Sequence, residues 1–217
     1  MKYKRLITFG CSFTYGSNLP GTEYGNNTTD FSSTPNPESW PFKLGEHLGV
    51  ETINKGVPGS SNLEILYHIL NFDFKKGDMV VVMWSFPDRD LHFISPSKRI
   101  KPFRQLGLWL ASTVGIGGAK YVVEWLSRFD PIDHIIKSWL YLHHADLYLK
   151  SLELDYIHFP AFPSSLEEYR PDFIKEIDNF YSDGFKIIDE CENDKHPGPL
   201  SHIAIAKHIY NILKEKQ

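Results

Sequence analysis

Residues 6–16 have the sequence LITFGCSFTYG. The apolar run is typical of a buried β-strand, and Gly10 ends it just before Ser12. In an open parallel α/β sheet, ligands bind beyond the carboxyl ends of the strands, where the strand-to-helix loops meet. Ser12 is therefore a candidate nucleophile, which would need a general base, an orienting acid and hydrogen-bond donors for an oxyanion.

The same alternation of apolar strands and helical or loop segments continues along the chain. The predicted strands are Arg5–Gly10, Glu51–Asn54, Asp78–Ser85, Leu154–Phe159 and Phe185–Asp189. The predicted helices are Trp40–Leu48, Ser61–Asn71, Leu166–Phe180 and His202–Lys216. Strands that alternate with helices favour right-handed crossovers and a parallel sheet, so we expect a doubly wound α/β fold.

Two segments lie outside this alternation. Gly16–Ser39 has the composition of a long loop, and its place after Ser12 predicts that it forms a wall of the pocket. Leu91–Leu149 is an insertion after the third strand, and we expect it to form a helical cap from two helices, Phe103–Arg128 and Pro131–Leu149. A length of 217 residues suits a single domain over residues 1–217, with the insertion as part of it.

Composition limits the class of protein. Hydrophobic residues make up 41% of the chain and charged residues 23%, as in globular proteins. A net charge of −4 argues against a nucleic acid or an anionic membrane as the main partner. Cys11 and Cys191 are expected to be reduced thiols. The absence of a signal peptide or membrane-spanning segment predicts a cytoplasmic location, and the oligomeric state stays open.

A candidate base precedes the last predicted helix, in the segment DKHP at residues 194–197. In an extended backbone the side chains of Asp194 and His196 point the same way, so Asp194 is able to accept from the Nδ1–H of His196. Pro197 disfavours the helical conformation at His196. The alternative is a surface turn that caps the helix, which is the more common use of such a motif on its own.

A candidate oxyanion-binding loop follows the second strand, at residues 54–62, NKGVPGSSN. Gly59 is able to bring its backbone N–H close to a ligand. The alternative is an ordinary strand-to-helix turn with a serine cap. Arg89 is a candidate binding group for an anionic substrate, or equally a member of a structural ion pair. His143, His144 and Asp146 suggest a solvated helix face rather than a metal site.

Taken in order, these segments resemble the SGNH (GDSL-like) hydrolase family. Residues 10–13 resemble its first block, with Cys11 where aspartate is usual; residues 54–59 resemble the second, and 194–197 the last. The resemblance extends from residue 5 to about residue 210 and leaves Leu91–Leu149 unmatched.

The resemblance implies a three-layer α/β/α fold with a five-stranded parallel sheet in flavodoxin-like order. It also implies metal-independent ester or acyl chemistry without a cofactor, on a small-molecule or glycan ester. Ser12 would be the nucleophile, His196 the general base and Asp194 its orienting acid. The backbone N–H groups of Ser12 and Gly59 would line the oxyanion hole.

One departure from the family concerns its third block, Gly-x-Asn-Asp, whose asparagine amide is an oxyanion donor. The corresponding segment here, residues 83–89, is MWSFPDR and has no asparagine. Ser85 is closest to the missing residue and is able to donate its hydroxyl; Asn62 is a second candidate. Losing one oxyanion donor typically costs ~10²–10³ in turnover, so weak or redirected activity is credible.

Three functions therefore stay open: a serine esterase, an acyltransferase that uses the same residues, and a binding protein with a vestigial triad. A general α/β-hydrolase is disfavoured because its G-x-S-x-G elbow is absent. A phosphate-binding loop is disfavoured because neither G-x-x-x-x-G-K-[ST] nor G-x-G-x-x-G occurs.

Overall fold

The computed structural model describes residues 2–22, 34–87, 89–94, 101–106, 130–161, 169–172, 174, 177, 179–192 and 195–216. The strands are β1 (Arg5–Gly10), β2 (Glu51–Gly56), β3 (Asp78–Trp84), β4 (Asp90–Ile94), β5 (Lys101–Leu106) and β6 (Asp155–Pro160). The helices are α1 (Ser12–Tyr15), α2 (Trp40–Leu48), α3 (Asn62–Leu70), α4 (Pro131–Ser151) and α5 (Pro199–Glu215).

The main sheet is parallel, with the order β2-β1-β3-β6. The first three strands follow the predicted flavodoxin-like order, with β6 as the fourth strand. The predicted fifth strand, Phe185–Asp189, is wrong, because this segment bonds to a helix instead: the backbone N–H groups of Ile188 and Asp189 donate to the Ser201 hydroxyl of α5, at 2.8 and 3.0 Å. Beyond β6, the described residues form only an isolated parallel bridge between His158 and Phe180.

The insertion also differs from the prediction. An antiparallel hairpin, β4-β5, occupies part of it, so the predicted helix Phe103–Arg128 is wrong over residues 103–106; residues 107–129 lie outside the described residues. The second predicted helix is confirmed as α4, which Asp130 caps by accepting from the N–H of Ile132 at 2.9 Å. The apolar stripe of α4 packs on the sheet, so this helix belongs to a layer of the fold and is not a cap.

Helices cover both faces of the sheet, which confirms the predicted three layers. On one face, α2 and α5 pack against side chains that include Leu6, Met79, Val81 and Ile157. On the other, α3 and α4 pack against Ile7, Phe9, Val80 and Val82. All seven residues of β3 are buried, as expected for a central parallel strand. Burying each large apolar side chain stabilises the fold by roughly 1.5–3 kcal/mol.

A histidine joins α5 to α2. The buried His202 of α5 accepts a hydrogen bond at its Nδ1 from the backbone N–H of Trp40, the first residue of α2, at 3.0 Å. This bond satisfies one of the N–H groups that the start of a helix leaves unpaired. The His202 ring is therefore neutral, with its hydrogen on Nε2, and burial is the main reason that its pKa is lowered to about 4.

Two further sequence predictions fall partly outside the described residues. Residues 23–33 of the loop Gly16–Ser39 are among them, as is most of the predicted helix Leu166–Phe180, whose described residues are not α-helical. Cys11 is buried and Cys191 is partly buried, and both are free thiols. No helix within the described part of the chain combines the length and apolar character that crossing a membrane requires.

Candidate active site

Ser12 lies where β1 turns sharply into α1. The preceding residue, Cys11, is in an extended conformation, and its carbonyl accepts from the N–H groups of Thr14 and Tyr15, both at 3.0 Å. Gly16 ends this single helical turn in the left-handed conformation, at φ 82°. The side chain of Ser12 is therefore held at the carboxyl edge of the sheet, where the residue is 5% exposed.

The turn that carries Ser12 is packed directly against the neighbouring strand, β2. A Cβ atom on Gly56 would lie 2.5 Å from the backbone N of Tyr15, so only glycine allows this approach. Asn54 adds a clamp, since its Nδ2 donates to the Thr14 carbonyl at 2.7 Å and its Oδ1 accepts from the N–H of Gly56 at 2.8 Å. The predicted second block thus includes a residue that positions α1.

The loop after β2 brings Gly59 to the same edge of the sheet. The N–H of Val57 donates to the Gly10 carbonyl at 2.9 Å, which ties this loop to the end of β1. Gly59 has φ 77°, a conformation that favours glycine. Ser61 caps α3 by accepting from the N–H of Glu64 at 3.2 Å. The loop is therefore a capped strand-to-helix turn that also carries the candidate oxyanion donor.

Ser85 and Ser12 both follow the carboxyl ends of neighbouring parallel strands. The pairing of β1 with β3 extends to Phe9 and Val82. Ser12 comes two residues after the end of β1 at Gly10, and Ser85 comes directly after the end of β3 at Trp84. Both serines therefore lie at the edge at which parallel α/β sheets bind ligands.

Asn62 holds Ser85 in place. The Oδ1 of Asn62 accepts from the Ser85 N–H at 2.7 Å, and its Nδ2 donates to the Ser85 carbonyl at 3.2 Å and to the Ser138 hydroxyl at 2.9 Å. Both hydrogens of this amide are thus used within the protein. The contacts of Asn62 are those of a positioning residue, and its predicted role as a donor to substrate finds no support in them.

Arg89 also contacts Ser85. Its Nη1 donates to the Ser85 Oγ at 2.8 Å and to the Ser60 carbonyl at 3.4 Å. The guanidinium lies over the ring of Phe86, 5.0 Å from its centroid. The sequence left two interpretations of Arg89 open, an anion-binding group and a member of an ion pair. Its contacts with the described residues are of neither kind.

His196 lies at the same edge, beside the helical turn that carries Ser12. Its ring is partly buried and packs edge-on against Phe13, with centroids 5.5 Å apart at 68°. Its Nδ1 lies 3.5 Å from the Nδ2 of Asn18. Asp194, the predicted orienting acid, lies outside the described residues. The structure thus brings His196 next to the residue that follows Ser12.

The segment that carries His196 is anchored to the start of α5. The N–H of Gly198 donates to the Asp189 carbonyl, and that of Cys191 to the His196 carbonyl, both at 2.9 Å. The Asp189 carboxylate accepts from the N–H groups of Leu200 and Ser201, at 3.0 and 2.7 Å. Burial by itself raises the pKa of Asp189, but hydrogen bonds from Ser201 and Leu200 favour the carboxylate and lower its pKa overall.

Replacing Asp189 by alanine is expected to lower the free energy of unfolding by about 1–2 kcal/mol, the usual cost of losing a capping side chain. Because its pKa is lowered, Asp189 stabilises the fold above the ordinary pKa of an aspartate, and this contribution is lost as pH falls through the folded-state value. Urea unfolding at pH 7 and pH 3 measures both effects. Glu190→Ala, an exposed neighbour, is the control, and equal losses in the two variants would refute the capping role.

Two residues of this region are absent from the sequence predictions. Asn18 is in the left-handed conformation, at φ 64°, which asparagine tolerates better than most residues. The sequence signal that could have identified it is its position in a turn directly after Gly16 and Ser17. Asp189 caps a helix that begins ten residues later, so no local motif identifies it.

The described residues include no group of three or more His, Cys, Asp or Glu side chains arranged to hold a metal ion.

Comparison of the sequence with protein-family models and with curated proteins gives no match. Solved structures do match. One, assigned to the G-D-S-L family of lipolytic proteins from Desulfitobacterium hafniense DCB-2, is 15% identical with a TM-score of 0.50, over 96% of this chain and 99% of that one.

Two carbohydrate-active proteins are also similar. An acetyl xylan esterase from Butyrivibrio proteoclasticus is 10% identical with a TM-score of 0.57, over 100% of this chain and 65% of that one. A carbohydrate esterase is 12% identical with a TM-score of 0.61, over 100% of this chain and 66% of that one. The present chain thus spans just under two thirds of these two proteins. The predicted resemblance to the SGNH (GDSL-like) hydrolases is therefore confirmed at the level of the fold.

Proposed function

We propose that this protein is a metal-independent serine hydrolase that cleaves an ester. The observation that carries the proposal is the contact between the His196 ring and Phe13, the residue that follows Ser12 at the start of α1. Nucleophilic catalysis requires a serine within reach of a base, and this contact supports such a pairing. The anchoring of the His196 segment by Asp189 supports it further, because a general base must be held in place.

In the proposed reaction the Ser12 Oγ attacks the ester carbonyl carbon while His196 takes the serine proton. The tetrahedral oxyanion is stabilised by the N–H groups of Ser12 and Gly59 and by the Ser85 hydroxyl. The C–O bond to the alcohol then breaks, and His196 gives its proton to that oxygen. Water adds to the acyl group in the same way, with His196 as base, and releases the acid and free Ser12. Asp194 orients the imidazole in this proposal.

The substrate class we propose is a short acyl group, such as acetyl, on a glycan or small molecule. Its support is the fold shared with an acetyl xylan esterase and with another carbohydrate esterase.

A fluorophosphonate probe tests the proposal, because it forms a covalent bond only with an activated serine. We expect one phosphonyl group per chain, located on Ser12 by peptide mass spectrometry. His196→Ala should abolish labelling, since the base that activates the serine is gone. Ser17→Ala removes a nearby buried serine and should label like the original protein. Label on another serine, or none at all, would refute the assignment.

A binding protein is the second candidate, because residues 83–89 lack the family's oxyanion asparagine. One of the similar structures belongs to a carbohydrate esterase whose active site is described as having divergent catalytic and non-catalytic binding functions. If Ser12 stays unlabelled while the protein binds acetylated xylo-oligosaccharides in calorimetry, the binding function is favoured. An acyltransferase would label like the esterase, but would transfer acetyl to an added sugar faster than to water.

A further inference from the structure

The hydrogen of the Ser85 hydroxyl has a direction that its neighbours determine. The Nη1 of Arg89 donates to the Ser85 Oγ at 2.8 Å. A guanidinium has only donors, so the serine oxygen must be the acceptor in this bond. The hydroxyl hydrogen therefore points away from Arg89. None of the described residues accepts that hydrogen in the structure.

The backbone of Ser85 is fixed as well. Its N–H and its carbonyl are both bonded to the Asn62 amide, at 2.7 and 3.2 Å, and Ser138 holds that amide from the other side at 2.9 Å. Ser85 is 4% exposed, so its side chain has little freedom to turn. A buried hydroxyl whose hydrogen no described residue accepts is well suited to donate to a ligand that enters the site.

Arg89 is held in turn by two contacts besides Ser85. Its Nη1 lies 3.4 Å from the Ser60 carbonyl in the loop after β2, and its guanidinium covers the ring of Phe86 at 5.0 Å. A cation placed between the loops after β2 and β3 adds positive potential at the edge where an oxyanion would form. A hydrogen bond from a charged donor also makes the accepting hydroxyl a stronger donor itself.

We infer that Arg89 is a positioning residue that directs the Ser85 hydroxyl hydrogen to the carbonyl oxygen of a substrate at Ser12, so that this pair takes the place of the missing asparagine amide. The inference rests on the proposed function, and it gives Arg89 a role different from binding an anionic substrate. The covalent steps stay those given above; Ser85 and Arg89 only stabilise the oxyanion and exchange no proton with the substrate.

Steady-state hydrolysis of p-nitrophenyl acetate by four variants tests the inference. Ser85→Ala removes the donor and should lower kcat by ~10²-fold with KM nearly unchanged, as for other side-chain donors to an oxyanion. Ser85→Thr retains a hydroxyl and should keep kcat within a few-fold. Arg89→Gln should lower kcat by roughly 10-fold, which on a logarithmic scale is about half of the effect expected for Ser85→Ala. In the double variant with Ser85→Ala, Arg89→Gln should have almost no further effect.

The outcomes separate this inference from the proposed function. Fluorophosphonate labelling and hydrolysis by the original protein, with kcat unchanged in Ser85→Ala, would overturn the inference and leave the esterase standing. A rise in KM without a fall in kcat in Arg89→Gln would overturn it in favour of substrate binding by Arg89, and additive losses in the double variant would overturn it too. Without labelling or hydrolysis in the original protein, both ideas fall. Arg170→Gln is the control, because Arg170 also covers an aromatic ring, that of Trp139. This variant should hydrolyse p-nitrophenyl acetate with unchanged kcat.

Discussion

Replacing Ser12 by alanine is expected to lower kcat for p-nitrophenyl acetate by at least ~10³-fold, because the variant has no atom that can form the acyl-enzyme. KM should change little, since one oxygen contributes little to ground-state binding. The fold should be retained, because backbone bonds of α1 hold Ser12 in place. Stopped assays at pH 7.5 with protein checked by circular dichroism measure the loss.

The double variant Ser12→Ala/His196→Ala adds a second check on the same prediction. Residues that act as one catalytic unit are strongly non-additive, so the double variant should be no slower than Ser12→Ala alone. Further loss on removing His196 would mean that the histidine acts independently of the serine. Hydrolysis that persists unchanged in Ser12→Ala would end the assignment of Ser12 as the nucleophile.

The protein is expected to lose several kcal/mol of stability between about pH 6.5 and pH 4, because of two buried histidines. Burial lowers the pKa of His158 to about 3 and is the main cause of the lowered pKa of His202, about 4. Both rings are neutral in the folded protein, whereas in the unfolded chain they take up protons below about pH 6.5. Falling pH therefore stabilises the unfolded chain, by on the order of 3 kcal/mol for His202 alone.

Urea unfolding at half-unit steps from pH 4.5 to pH 7 measures this dependence. His202→Asn should flatten the curve, even if losing the bond to Trp40 lowers the free energy of unfolding at every pH. His208→Gln changes an exposed histidine of the same helix and should leave the slope as it was. A slope that His202→Asn leaves intact would mean that His202 is not responsible.

The parts of the fold that the sequence predicted are those determined by local apolar pattern. The continuous apolar run at 79–83 predicts β3, and the stripe of Ile203, Ala206, Ile209 and Leu213 predicts α5. Within this stripe Ile203 is exposed, whereas the other three residues are buried. The fifth strand failed because Phe185–Asp189 has strand-like composition, yet its N–H groups bond to Ser201 of a helix. Whether an extended segment joins a sheet depends on such distant partners, which no local pattern reveals.

The candidate site shows the same division. Ser12, Gly59 and His196 were predicted because each follows a recognisable strand or precedes a helix. The hydrogen bonds of Ser85 were not, because a serine carries no pattern that indicates an arginine donor four residues later. The role of Asp189 was also missed, because its partners at the start of α5 become neighbours only when the chain folds.

The bond between His202 and Trp40 bears on the order in which contacts form while the chain is being synthesised. Ser12 and its turn are synthesised before α5, and His202 of α5 lies 162 residues after its partner Trp40. Pairings of such large sequence separation form late, because a long loop must close first. A growing chain therefore carries Ser12, the candidate nucleophile, without the candidate base His196 until α5 has left the ribosome and docked.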